Sequence, residues 1–235
     1  MITLKRKSAS GRRTGNVPKR LRRYTSLPVA LDMLIEKRLT IVDCSRWADI
    51  NDQVGMREYQ KALHYGFVGA MCLTMAPETF HHWQVFAGDS SGVAIEFDVP
   101  RFLHMVDGDH RLCGPVDYVR LDEIKSVNAE DIHRLPFMKR AGFIDEAEYR
   151  VVGYAVEALP ALHIPLERDA VQRIIVSPFI HPSLVPSLRQ IMTGIAGWRD
   201  LRVTHSRLTD SQTWQRAIRA FPERHGIIYT PWLES

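Results

Sequence analysis

Residues 147–156 read Ala-Glu-Tyr-Arg-Val-Val-Gly-Tyr-Ala-Val, and this run does most to set the fold class of the chain. Its β-branched and aromatic side chains predict a strand. Further strands are predicted after it at 161–164, 173–176 and 201–204, and a helix at 183–192 lies between the last two. Several connections are too short to hold a crossover helix, so we expect antiparallel neighbours in the sheet.

The segments before residue 147 continue this pattern of strands and helices. The predicted strands are 21–26, 39–44, 69–74, 93–98 and 115–119. The predicted helices are 28–37, 55–65, 77–86 and a polar helical region at 121–139, with Ser26 as the cap of the first. Turns are predicted at 50–52 and 88–91. The sequence therefore predicts an α+β fold of mixed, mostly antiparallel sheets with flanking helices.

The size and composition of the chain favour one folded domain with a core. It has 235 residues, of which 45% are hydrophobic, and we expect a single domain at 21–235 after a flexible arm at 1–20. The apolar runs are much shorter than the roughly 20 residues of a membrane span, and no secretory signal is evident. We expect a cytoplasmic protein without a membrane partner, in which Cys44, Cys72 and Cys113 are reduced core residues.

The basic charge is concentrated in the first 23 residues, which hold nine Lys and Arg and no acid. The net charge of +4 for the whole chain leaves −5 for the rest. Such an arm gains most by releasing counterions from a polyanion, so RNA or DNA is the expected partner. A solvated tail, or one that folds back onto the acidic body, is the alternative. The arm residues predicted to bind nucleic acid are Lys5, Arg6, Lys7, Arg12, Arg13, Lys19 and Arg20.

Several common catalytic motifs are absent from the sequence. It contains no Walker or Rossmann glycine loop, no GxSxG and no HExxH, which removes support from several enzyme classes. His81, His82 and Glu78 suggest a metal site at first sight. Adjacent histidines point to different sides of a helix, however, and no second cluster lies nearby, so we expect no metal.

The richest short segment is 139–150, in which Glu146 and Glu148 flank Ala147 at the entry to the predicted strand. Strand alternation places both carboxylates on one face, about 6 to 7 Å apart. One could then stabilise positive charge on a sugar while the other takes a proton. Lys139 and Arg150 could keep both ionised or bind phosphate. The alternative is a structural ion pair, with Glu148 neutralised by Arg150.

Taken in order, the segments of residues 21–176 resemble an uncharacterised bacterial family, the domain-of-unknown-function family 2971. The family pattern combines an aromatic strand, a leucine-rich helix, an Asn-Asp turn, a Cys-Phe-Ser strand, a Trp helix, a Gly-x-x-Ile-Glu-Phe strand and a segment ending in Glu-x-Glu-Tyr-Arg. The matching positions are Leu21 to Ser26, Leu31 to Leu34, Asn51-Asp52, Cys72 to Thr74, Trp83, Gly92 to Phe97, and Lys139 with Glu146, Glu148, Tyr149 and Arg150. Phe143 stands where the family has a tryptophan.

More remotely, this layout is similar to the ADP-ribosyltransferase fold, and that resemblance implies a role for each matching residue. Arg23 would hold the diphosphate of NAD. Thr25 and Thr74 would support the ribose and nicotinamide, and Tyr24 or Trp83 would flank the nicotinamide ring. The two catalytic residues would be Glu148, bonded to the ribose hydroxyl as nicotinamide leaves, and Glu146, which would orient or deprotonate the acceptor.

Three functional hypotheses follow from the sequence. The first is an ADP-ribosyltransferase or NAD glycohydrolase that consumes NAD, a toxin or phage-defence effector acting on nucleic acid or a nucleoprotein. The second is a nucleic-acid-binding module without catalysis. The third is a metal-dependent nuclease that uses five acids as oxygen ligands: Asp52, Glu96, Asp98, Glu146 and Glu148.

Overall fold

The computed structural model describes residues 11–12, 17–45, 47–126 and 129–226. It shows a mixed α/β fold built on one open, mostly antiparallel sheet with flanking helices, which confirms the predicted fold class at that level. Among the described strands, ten belong to this sheet and two form a separate parallel pair. The strands are β1 Gly11–Arg12, β2 Leu21–Ser26, β3 Arg38–Asp43, β4 Phe67–Thr74, β5 Gly92–Phe97, β6 Arg111–Pro115, β7 Asp117–Val119, β8 Met138–Arg140, β9 Glu148–Ala155, β10 Leu162–Pro165, β11 Val171–Val176 and β12 Val203–His205.

Seven α-helices accompany these strands in the described part of the chain. They are α1 Leu27–Glu36, α2 Ile50–Ala62, α3 Phe80–Phe86, α4 Val99–Val106, α5 Val185–Gly194, α6 Gln212–Arg219 and α7 Phe221–Arg224. The main path of the sheet runs β1-β6-β9-β4-β2-β5-β11-β12, and β3 pairs with both β4 and β10. The separate pair is β7 with β8.

The two faces of the sheet bury different sets of side chains, because successive residues of a strand point in opposite directions. On β9, Tyr149 and Val151 join the large apolar cluster that also contains residues of α1, α4 and α5. Val152 and Tyr154 join a second cluster with residues of α2. Arg150 lies two residues before Val152 and shares its face, where it bonds Asp52 of α2. The α2 face therefore carries buried charged residues as well as the second apolar cluster.

Strand β4 has two partners along one edge, and this divides the sheet. Its whole length pairs with β9 on one side. On the other side, β2 meets it at Thr74, while β3 meets it at Gly69 and Ala70. The intervening residues 71–73 have no strand partner on that side among the described strands. A gap therefore opens in the sheet between β2 and β3.

The predicted turn at 50–52 is wrong, because these residues form the first turn of α2. The Asp49 side chain accepts a hydrogen bond from the backbone N–H of Asn51 and caps the helix. The earlier start of the helix matters for the site, since it turns Asp52 inward to a buried position. Asp and Asn are typical of both caps and turns, so their presence alone did not separate the two.

Two other sequence predictions are corrected by the structure, and one helix was missed. The region predicted as a polar helix at 121–139 holds short 3₁₀ turns at 123–126 and 129–137, with residues 127–128 outside the description, and ends in β8. The strand predicted at 115–119 lies across two strands, β6 and β7. Helix α4 was not predicted at all. Its cap is Asp98, whose side chain accepts a hydrogen bond from the Arg101 N–H.

Most of the predicted arm, residues 1–10 and 13–16, lies outside the described residues, so the division into an arm and one domain stays a prediction. Of the arm, the backbone of Gly11–Arg12 pairs in parallel with β6. Lys19 and Arg20 are exposed. In the described part of the chain, no helix has the length and apolar character needed to cross a membrane.

Candidate active site

A cleft of about 460 Å³ opens where β2 and β3 separate along the edge of β4. Side chains of β2, β3, β4, α2 and α3 line it, together with the segment that leads into β9. Most of the residues that the sequence singled out meet in this cleft: Arg23, Tyr24, Thr25, Thr74, Glu146 and Glu148 all line it. Residues far apart in the chain thus converge at the division of the sheet.

Arg150 anchors one wall of the cleft and has no exposed surface. Its guanidinium forms a fork with Asp52, at 2.8 Å from Nη1 to Oδ1 and 2.5 Å from Nη2 to Oδ2. A second fork joins Nε to Oε1 of Glu148 at 2.7 Å and Nη2 to Oε2 at 3.0 Å. Nη1 also donates to the Pro136 carbonyl at 2.8 Å. All five N–H groups of the guanidinium therefore have an acceptor.

Lys139 links the two glutamates at the surface of this network. Its Nζ donates to Oε2 of Glu146, and it lies 3.2 Å from Oε2 of Glu148. Asp52 Oδ2 is 3.9 Å away. The cluster therefore joins three carboxylates to two cations, and its formal charge is −1 when all five groups are ionised. It can attract a positive centre that arrives in the cleft.

The surroundings of the two glutamates shift their pKa values in opposite directions. Burial alone would raise the pKa of Glu148, but the charge of Arg150 and then of Lys139 outweighs it and lowers that pKa to about 2. For Glu146, burial outweighs the attraction of Lys139, so its pKa is raised. Two titratable groups whose pKa values are pushed apart can divide acid–base labour. Glu148 stays ionised at neutral pH, and Glu146 is the better proton carrier.

Glu146 reaches the cleft through a turn and not through strand alternation. It ends a 3₁₀ turn at 141–146, and Ala147 follows in the left-handed region, at φ 42° and ψ 50°. The Glu146 carbonyl accepts hydrogen bonds from Thr74 Oγ1 at 2.7 Å and His82 Nε2 at 3.2 Å. These bonds fix the glutamate backbone beside β4. Thr74 and His82 are therefore positioning residues for Glu146.

Arg23 differs from the other cations that line the cleft. Arg22 pairs with Glu96, and Lys139 pairs with the acidic cluster. No carboxylate of the described residues pairs with Arg23, whose Nη1 donates only to the Met71 sulfur at 3.3 Å. Burial lowers the pKa of Arg23. A half-buried guanidinium without a counter-charge favours the binding of an anion.

The remaining predicted site residues divide between the cleft and the core. Tyr24 lines the cleft and packs edge-on against Trp83, with ring centroids 5.0 Å apart. Trp83 itself is fully buried in an apolar cluster, and its Nε1 donates to Glu78 at 2.9 Å. It does not line the cleft, so the structure places it in the core behind Tyr24.

The prediction that all three cysteines are core residues is wrong for Cys72. Cys44 and Cys113 are buried, but Cys72 is exposed and lines the cleft. The walls of the cleft desolvate its thiolate and Glu148 lies beside it, so the pKa of the thiol is raised well above its usual value. Cys72 is therefore a neutral thiol at neutral pH, and a weak nucleophile.

Sequence reasoning missed several groups that the structure brings to the cleft. Arg22 was given no role of its own at the site, although it lines the cleft. Trp47 lies under Arg150, with its ring centroid 5.1 Å from the guanidinium carbon, and Phe143 lies under Lys139 Nζ at 4.9 Å. Trp47 lies in the connection between β3 and α2, outside any segment with a periodic pattern of apolar residues. The Phe143 position was marked only as a departure from the family pattern.

The five acids proposed as nuclease ligands do not share one environment. Glu96 pairs with Arg22 and Arg173, and Asp98 caps α4. The other three belong to the cluster around Lys139. Among the described residues, no group of three or more His, Cys, Asp or Glu is arranged to hold a metal ion.

A scan of protein-family models, a search of curated proteins and a search of solved structures each found no significant match to this chain.

Proposed function

We propose that this protein is an NAD-consuming enzyme of the ADP-ribosyltransferase type, acting as a transferase or as an NAD glycohydrolase. The observation that supports it most is the polarity of the cleft. An unpaired Arg23 lies on one wall, and the cluster with its excess carboxylate lies on the other. A ligand with an anion at one end and a cationic sugar–base linkage at the other, such as NAD, matches both walls.

In the proposed reaction, the bond between the ribose carbon and the nicotinamide nitrogen breaks. Its electron pair goes to the nitrogen, so the nicotinamide leaves as a neutral molecule. Glu148, ionised down to pH about 2, stabilises the positive charge that develops on the sugar carbon. The acceptor or water then bonds to that carbon and gives its proton to Glu146.

The anion end of the cleft would take the diphosphate, with Arg23 as its charged donor and Thr25 beside it on β2. Interactions made equally in the ground and transition states change KM, whereas those made only in the transition state change kcat. We expect Arg23→Gln to raise the KM for NAD about tenfold or more at similar kcat, as for the loss of a charge-assisted hydrogen bond. Lys61→Gln, which changes an exposed cation paired with Glu58, is the matched control. An unchanged KM in folded Arg23→Gln would remove Arg23 from the site.

The competing function is a nucleic-acid-binding module without catalysis. The observation that favours it is the complete pairing of Arg150, which also fits a purely structural network. In that case, the basic arm is the part of the protein that binds nucleic acid. Replacing Lys5, Arg6 and Lys7 by Gln should then weaken RNA or DNA binding and flatten its salt dependence. NAD cleavage by the same variant would survive if the enzyme proposal is right.

The effector role, as a toxin or in phage defence, belongs to the same proposal and rests on the remote resemblance and the basic arm. The acceptor class would be nucleic acid or a nucleoprotein, because a polyanion is the expected partner of such an arm.

A further inference from the structure

Two buried donors on β2 have no hydrogen-bond partner among the described residues, and both belong to side chains that line the cleft. They are Nη1 of Arg22 and the hydroxyl of Tyr24. The residues are 4% and 9% exposed, so bulk water does not satisfy either atom. Native proteins rarely leave such groups unpaired, because each costs free energy.

Arg22 is held in place from behind. Its Nε donates to Glu96 Oε2 at 2.5 Å, and Arg173 donates to both oxygens of the same carboxylate at 3.1 and 3.2 Å. The group of two arginines and one glutamate has a formal charge of +1. Because the bond from Nε to Glu96 fixes the orientation of the guanidinium, its remaining N–H groups are pre-organised to bind an anion.

Arg22 and Tyr24 satisfy each other only in part. They lie two residues apart on one face of β2, and the Arg22 guanidinium acts on the Tyr24 phenol through its charge and through a weak side-chain hydrogen bond. Arg22 Nη1 and the Tyr24 hydroxyl nevertheless lack a partner with good hydrogen-bond geometry. A tyrosine oxygen can accept from an arginine, but the phenol proton then still needs an acceptor. Burial raises the pKa of Tyr24 to about 12, so that proton stays in place at neutral pH. The missing partner is an acceptor with negative charge.

The register of the sheet places this pair relative to the acidic cluster. Arg22 is opposite Thr74 on β4, and Thr74 is opposite Glu148 on β9. Two strand spacings separate the Cα atoms of Arg22 and Glu148 by about 10 Å. Arg23, by alternation, leaves β2 from the other face. Arg22 and Tyr24 therefore lie on the opposite face of β2 from Arg23, and Arg22 is in one row across the strands with Glu148.

We infer that Arg22 Nη1 and the Tyr24 hydroxyl form an oxyanion subsite that takes a phosphate oxygen of the ligand. Only the identity of the ligand rests on the proposed function. With NAD as the ligand, this oxygen belongs to a sugar-linked phosphate whose ribose lies against Glu148. Tyr24 then acts as a hydrogen-bond donor to phosphate and not as a cover for the nicotinamide ring.

Calorimetric titration with inorganic pyrophosphate and with ADP, at constant ionic strength, tests the subsite without any turnover. We expect Tyr24→Phe to weaken the binding of both about tenfold, which corresponds to 1.4 kcal/mol. The same variant should keep or raise the melting temperature of the free protein, because it removes an unpaired buried hydroxyl. Tyr154→Phe, in a buried tyrosine away from the cleft, should bind as wild type does.

Undiminished binding by Tyr24→Phe, or no binding of either probe by wild type, overturns the subsite. Arg22→Gln should bind still more weakly, but it leaves Glu96 with one partner fewer, so the Tyr24 variant carries the test. The two proposals fail separately. If Tyr24→Phe weakens binding but wild type does not cleave NAD, the subsite stands and the proposed enzymatic function is wrong. If NAD cleavage depends on Glu148 but Tyr24→Phe binds both probes normally, the enzymatic function stands and the subsite is wrong.

Discussion

Glu146 and Glu148 carry the same carboxyl group two residues apart, yet only one of them has a raised pKa. Arg150 contacts both oxygens of Glu148, whereas Glu146 has only Lys139 as its cationic contact. The difference in their pKa values therefore follows from which glutamate the buried arginine reaches. At the residue scale, this asymmetry yields two predictions with opposite pH behaviour.

The first prediction concerns Glu146 as the proton acceptor. Its pKa is raised from the ordinary 4.5, and only the ionised form can take a proton. Turnover should therefore rise with pH along a limb whose midpoint lies above 4.5. A pH profile of kcat/KM for nicotinamide release measures this midpoint. A limb below 4.5, or the same limb in Glu146→Gln, would contradict the assignment.

The second prediction concerns stability and Glu148. Its pKa falls from 4.5 to about 2 on folding. A depressed pKa stabilises the folded state above the unfolded value and loses that effect as pH falls through the folded value. The expected contribution is about 3 kcal/mol at pH 7. It should be largely lost near pH 2.

Urea unfolding of wild type and Glu148→Gln at several pH values measures this contribution as a difference. Glu146 contributes with the opposite sign, because its raised pKa favours folding at low pH and loses that effect as pH rises through the folded pKa. It is present in both proteins, but the charge of Glu148 helps to raise the Glu146 pKa, so the difference measures Glu148 together with its coupling to Glu146. A difference between the two proteins that does not change from pH 7 to pH 3 would sink the prediction.

At the scale of elements, the junction of β3 with β4 decides whether the cleft exists. A Cβ on Gly69 would lie 2.3 Å from the Val42 carbonyl oxygen, so only glycine lets β3 approach there. We expect Gly69→Ala to cost about 1 to 3 kcal/mol, as overpacking does, and to loosen β3 where it forms one wall. Gly142→Ala is the control, since nothing lies within 4 Å of its added carbon. Chemical unfolding compares the two, and equal stabilities would contradict this view of the junction.

The elements with strong periodic or compositional signals were predictable from sequence. Strands β4, β5 and β9 and helices α1 and α3 lie close to their predicted positions. The start of α2 was missed, because an aspartate that begins a helix resembles one that begins a turn. The region at 129–137, predicted as part of a helix, forms 3₁₀ turns, because the spacing of its polar residues does not distinguish the hydrogen bonds of the two helix types.

The site was predictable in its residues more than in its geometry. Glu146, Glu148 and Arg150 stand together in the sequence, and their pairing was one of the two readings that the spacing allowed. The contribution of Asp52 to the Arg150 fork depends on a contact across 98 positions of the chain. No local pattern reports such a contact. The unpaired donors of Arg22 and Tyr24 likewise depend on how the folded protein packs around β2, and not on a local pattern in the sequence.

At the scale of the whole molecule, the charge is divided between the two ends of one cleft. The β2 wall carries Arg22, which has an unused donor, and Arg23, which bonds only the Met71 sulfur among the described residues. The β9 wall carries more carboxylate than cation. The division of the sheet along β4 brings these walls together. A purely structural ion-pair network would account for the Arg150 forks. It would not supply the acceptor that Arg23, Arg22 and Tyr24 lack.

The proposed NAD cleavage is tested most directly by measuring nicotinamide release from NAD by purified wild type and Glu148→Gln, with and without added RNA or DNA. We expect release by wild type and a loss of at least a hundredfold in a folded Glu148→Gln, the scale on which single electrostatic groups act in transition states. Stimulation by nucleic acid would identify the acceptor class. No release by folded wild type under any of these conditions, or equal release by both proteins, would contradict the claim that this cleft consumes NAD through Glu148.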